Sequence, residues 1–171
     1  MTKAALVGAG AGLCVLLTCA PPASPQSAAF SGRYRLTLRF GASCQASVPS
    51  VSLAVELSAS QVSQGTEIDG RPVAADDANL GRLMLLAQQA HVHGPCATIA
   101  GGADRAPITT LEGLLVVPWL MLDGTLDSGS GPGRAQGTAF GTLEVGRPGD
   151  DVPNTLGSCR AADHTWSLEP L

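Results

Sequence analysis

The chain is almost without lysine: Lys3 is the only one among ten basic residues, and the formal net charge is −4 at pH 7. Nine arginines then face fourteen carboxylates in everything that follows. Such a balance does not suit a phosphate backbone and argues against nucleic acid as a partner. Aromatic side chains are equally sparse, with three Phe, two Trp and one Tyr in 171 residues. Complete catalytic signatures are missing too: there is no G-x-S-x-G elbow, no P-loop and no paired C-x-x-C motif. What the chain does have is 21 Gly and 12 Pro within a composition that is 44% hydrophobic. That mixture suits one globular domain of short elements and many turns rather than long helices.

The first thirty residues read as an export signal. Lys3 supplies a positive start, "AALVGAGAGLCVLLTCA" is an apolar run too short and too rich in Gly and Ala for a membrane span, and small residues follow. "LLTC" at 16–19 resembles a bacterial lipobox, with Thr18 where Gly, Ala or Ser is usual; the resemblance implies lipidation of Cys19. The alternative is an ordinary secretory signal cut near Ala23 or Ala29. "APPASPQSAA" after Cys19 cannot bury apolar surface and reads as a semi-extended tether. The expected organisation is therefore a signal peptide over 1–19, a tether over 20–30 and a folded domain over 31–171. Its localisation would be the cell envelope as a lipoprotein, or the periplasm or medium.

The domain reads as all-β. "SGRYRLTLRF" alternates strictly, with Tyr34, Leu36, Leu38 and Phe40 on one face and Arg33, Arg35, Thr37 and Arg39 on the other. "VSLAVELS", "LMLDGTLD", "GTAFGTLEV" and "HTWSLE" are further strand-like runs, the last placing His164, Trp166 and Leu168 on one face. "DSGSGPGRAQ" between two of these is a Gly-rich hairpin connection, so the sheet is antiparallel. Such a sheet must close or stack to remove its edges, and the expectation is an up-and-down barrel of about eight strands. If an even number of strands closes, the end of the first lies beside the start of the last. Cys44 follows the first strand and Cys159 precedes the last, so they would meet at one rim as a disulfide, which an exported compartment permits. Cys96 is left over.

The opening "SGRYRLTL" is similar to the start of lipocalin-type (calycin) barrels, in which a Gly, one residue and an aromatic begin the first strand; here these are Gly32, Arg33 and Tyr34, with Tyr where Trp is usual. The closing "CRAADHTWSLEPL" resembles the last strand of small exported bacterial β-barrel proteins. The resemblance implies an antiparallel barrel holding a small apolar ligand, without catalysis, through Tyr34, Leu36, Leu38, Phe40 and Trp166.

"HVHGPC" at 91–96 is the other candidate site. On a strand His91 and His93 project from one face with Cα atoms about 6 to 7 Å apart and can share a metal; on a helix they point about 200° apart and cannot. The preceding "DDANLGRLMLLAQQA" admits both, since Asp77 or Asn79 offers an N-cap and Gly94-Pro95 a stop, while "LMLLA" also suits a buried strand. Strand is the reading that agrees with the rest of the chain, with one short helix as the alternative. Even then His91, His93 and Cys96 make an incomplete set for zinc or another transition metal, and His164 completes it only if the last strand lies near. "LDSGSG" at 126–131 has the letters of an aspartic-protease loop but lacks a second copy, and reads as a hairpin turn. Arg33, Arg35 and Arg39 read as a solvated outer stripe, Trp119 and Trp166 as core plugs, and Pro118 as an edge, bulge or strand boundary.

The functional expectation is an exported, envelope-tethered, non-enzymatic β-barrel protein that needs no cofactor and binds a small apolar ligand, touching the membrane only through a lipid anchor. Two alternatives stand beside it: an envelope structural or interaction module with a filled barrel, whose protein partner the sequence does not specify, and a metal-binding protein using the HVH segment.

Overall fold

The computed structural model describes residues 30–63, 65–73, 83–88, 96–103, 108–127, 131–150 and 154–171. Its strands are β1 (Gly32–Arg39), β2 (Ser50–Val62), β3 (Gly65–Pro72), β4 (Leu83–Gln88), β5 (Cys96–Ala103), β6 (Ile108–Thr109), β7 (Leu115–Asp127), β8 (Arg134–Gly146) and β9 (Gly157–Pro170). No helix occurs among the described residues, and 83–88 of the ambiguous segment is strand.

Every pairing is antiparallel. The order β4-β3-β2-β1-β9-β8-β7 makes a nearly closed barrel of seven strands. β5 lies in the remaining gap, paired with β4 on one side and with β7 on the other. The two-residue β6 pairs with the start of β7 at Leu115–Val116, before the stretch that pairs with β5. Apart from β5 and β6, which both pair with β7, strands consecutive in sequence are neighbours, and first and last meet as the up-and-down plan requires.

Alternation sets the two faces. Tyr34, Leu36 and Leu38 of β1, Val51, Leu53, Val55 and Leu57 of β2, and Leu120, Leu122 and Leu126 of β7 point inward and are buried. With Leu143, Val145, Trp166 and Leu168 they form one hydrophobic cluster. Phe30, which composition assigns to the tether, belongs to it as well, fully buried and stacked on Tyr34 with ring centroids 6.0 Å apart. Trp119 does not: it shares the parity of Met121 rather than of Leu120 and Leu122, and is 57% exposed. Pro118, its neighbour, pairs with Leu143 of β8. On the far edge of β7, β6 pairs at Leu115–Val116 and β5 from Leu120 onward, so Pro118 occupies the interval between them, where a missing N–H removes no ladder bond.

Cys44 and Cys159 form the expected disulfide, with Cα atoms 5.8 Å apart across 115 residues of chain. The geometry behind it is that β9 overshoots β1. Only Thr165–Pro170 pairs with β1, and the preceding half of β9 runs beside the β1–β2 connection, where Ser47 N–H donates to Leu156 O at 2.7 Å. A register shift between Ala139 and Gly141 puts Ala162 and Asp163 of β9 against Phe140 alone. At this bulge Asp163 accepts from Ala42 N–H at 3.0 Å, and His164 turns inward beneath Gly41.

Candidate functional site

Inside the barrel the five residues expected to line a ligand pocket do come together. Leu36 pairs with Leu168 and Leu38 with Trp166, while Phe40 meets the His164 ring edge-on at 5.9 Å. Each is nevertheless buried in the common core. Burial pushes the Tyr34 hydroxyl above its usual pKa, which favours its neutral form. His164 has both ring nitrogens engaged: Nδ1 accepts from Gly41 N–H at 3.1 Å, which leaves the proton on Nε2 to donate to Gly141 O at 3.2 Å. It is a structural wedge at the bulge rather than a free metal ligand.

His91, His93 and Cys19 lie outside the described residues. Cys96 begins β5 opposite Asp127. No group of three or more His, Cys, Asp or Glu gathers at metal-binding distance among the described residues. The Asp127 end of "LDSGSG" closes a β7–β8 hairpin, with Asp127 opposite Arg134 and residues 128–130 outside the description.

A broad cleft of about 630 Å³ lies on the outer face instead, across β1, β9, β8 and β7. Register builds it from two parallel rows. One runs Thr37, Ser167, Gln136, Thr125 across the four strands. The other, one outward step along, runs Arg39, Thr165, Thr138, Asp123. The first row continues on β2, where Ser52 Oγ lies 3.4 Å from Thr37 Oγ1. A smaller recess of about 240 Å³ prolongs the cleft toward the β7–β8 hairpin, adding Asp127, Arg134 and Glu169.

The depth of the cleft has its origin on the inner face. Trp166, Gly137 and Gly124 occupy one cross-strand row there. Two absent side chains leave the indole room to reach from β9 past β8 to β7: a methyl on Gly124 would come within 2.9 Å of the Trp166 ring. Its Nε1–H is directed between the strands, 3.1 Å from Asp123 O and 3.0 Å from Thr138 O. The edge of this buried ring therefore forms part of the cleft floor.

Beyond the cleft, the next outer positions of β7 and β8 are Met121 and Phe140, directly opposed, 70% and 46% exposed. The Arg160 guanidinium sits 5.5 Å over the Phe140 ring. Of the arginine stripe, Arg33 lies 3.5 Å from Glu56 with both side chains exposed, and Arg39 turns out to end a row of the cleft. Sequence reading identified Thr37 and Arg39 as outward but missed their partners. Alternation alone could mark Thr125, Gln136, Thr138, Thr165 and Ser167 as outward; only the register aligns them.

No protein-family model matches the chain, and neither a curated protein nor a solved structure matches it significantly.

Proposed function

We propose that this chain is an exported, envelope-tethered, non-enzymatic binding module whose barrel interior is filled and whose working surface is the outer face of β1, β9, β8 and β7. The observation that carries the reading is the contrast between the two faces. Inward residues from β1, β2, β7, β8 and β9 pack into one apolar cluster, while the broad concavity of about 630 Å³ lies outside and is lined by hydroxyl, amide and charged groups around a floor of Gly124, Gly137 and Trp166. The Cys44–Cys159 disulfide supports the exported half of the reading, because such bonds persist in oxidising compartments. The antiparallel barrel is compatible with a calycin-like plan, and the lipobox-like "LLTC" with a lipid anchor at Cys19.

The competing reading places a small apolar ligand among Tyr34, Leu36, Leu38, Phe40 and Trp166. Xenon separates the two, since it enters dry apolar cavities and shifts the methyl signals around them. In the full chain under xenon pressure, the methyl groups of Leu36, Leu53 and Leu143 are expected to show no saturable shift. Saturable shifts at these methyls would overturn the filled interior and restore the apolar-ligand reading.

A further inference from the structure

We infer that the outer cleft is a saccharide site, recognising a neutral, polyhydroxylated chain laid across β1, β9, β8 and β7; the inference rests on the outer-face reading and names its ligand class. The lining chemistry carries it. Thr37, Thr125, Thr138, Thr165 and Ser167 each offer a hydroxyl that both donates and accepts, and Gln136 adds an amide with both capacities. A ligand matched to such a surface carries many groups that also do both, as sugar hydroxyls do.

Charge argues the same way. Arg39 and Asp123 terminate one row at opposite ends, and the adjoining recess adds Arg134 with Asp127 and Glu169, so cations are matched or outnumbered by carboxylates and no cationic cluster is present to select a phosphate or a polyanion. Apolar ligands are disfavoured because they would cover these polar groups without replacing their hydrogen bonds to water. Neighbouring strands stand about 4.8 Å apart, so a row of four spans about 14 Å, an elongated strip rather than a pocket for one compact molecule. Met121 and Phe140 border that strip with exposed apolar surface, on which the C–H face of a sugar ring can rest.

Trp166 supplies a reporter within the site, because its Nε1–H bonds carbonyls of both strands beneath the cleft. The test is an amide NMR titration of the full-length, disulfide-oxidised chain with a neutral hexasaccharide of β-1,4-linked glucose and, separately, one of N-acetylglucosamine. A sulfated hexasaccharide and a neutral hexapeptide serve as comparison probes. At least one neutral saccharide is expected to bind with a dissociation constant of about 1 mM, shifting the amides of 136–138 and 165–167 together with the Trp166 indole N–H. Thr165→Val and Gln136→Leu each remove a hydrogen-bonding group from the exposed face, and each is expected to weaken binding about fivefold, while Thr165→Ser retains it. Unchanged spectra elsewhere in these variants show that the fold is intact. No response to either neutral saccharide up to ~20 mM overturns the saccharide assignment. If the peptide or the sulfated probe moves the same amides, the outer-face reading survives alone; if probes move only interior methyl groups, both fall.

Discussion

At the scale of single residues, the sites that matter most are glycines and the polar atoms they expose. A methyl group on Gly137 would lie 1.9 Å from Asp123 O and 2.5 Å from Gly124 Cα, backbone atoms that cannot rotate away. Gly137→Ala is therefore expected to destabilise the fold by about 3 kcal/mol, measured by urea unfolding; a loss within ~0.5 kcal/mol would show that β7 and β8 are not held this closely. Glu112 gives a pH-dependent case. Burial pushes its carboxyl up, but hydrogen bonds from the Ser52 N–H, from its own backbone N–H and from the Thr110 and Ser52 hydroxyls outweigh this and hold it below the usual value. A depressed folded-state value means a contribution to stability that is complete above the unfolded value and lost as pH falls through the folded one. The Ser52 amide signal should accordingly move with a midpoint below that of an ordinary glutamate, and Glu112→Gln should abolish the transition. A midpoint at or above the ordinary value would contradict the contact.

Among elements, the decisive one is the bulged β8–β9 pair. The extra residue in β9 lets Asp163 and His164 reach the Gly41–Ala42 backbone, which fastens the β1–β2 connection to the strand that overshoots β1. His164→Leu keeps the apolar contact with Phe40 but leaves Gly41 N–H and Gly141 O without their partner. The expected cost is about 3 kcal/mol, with accelerated exchange of the Gly41 amide; unaltered exchange there would mean that His164 merely fills space. Strands with a strong alternation, β1, β2 and β9 among them, were legible because large side chains marked each inward step, Tyr34, Leu36 and Leu38 in β1 and His164, Trp166 and Leu168 in β9. β3 was not, because its inward positions are Thr66, Ile68 and Gly70, and only one of the three is apolar and large. Trp119 misled for the opposite reason: its size suggests a core plug, but the parity of Leu120 and Leu122 already placed it outside. Pro118 was readable as a discontinuity, and the pairing resolved which kind.

For the whole molecule, closure explains both what the sequence could reveal and what it could not. Antiparallel pairing of the first strand with the last brings Cys44 to Cys159, an inference that required only the order and direction of the strands. The outer cleft required register, because Thr37, Ser167, Gln136 and Thr125 come from four separate strands and carry no common motif. The disulfide closes a loop of 115 residues and should stabilise the native state by about 4 kcal/mol through the unfolded chain. The double variant Cys44→Ser, Cys159→Ser is expected to unfold at correspondingly lower urea while keeping its antiparallel sheet; equal stability would show that the rim is held by the β9 and His164 contacts alone. The central claim is that this barrel works from its outside. The most direct test is a fragment library screened by NMR against the full chain, with both amide and methyl signals assigned. The account predicts that shifts cluster at 37–39, 123–125, 136–138 and 165–167 on the outer face; shifts concentrated at the methyl groups of Leu36, Leu53 and Leu143 would contradict it.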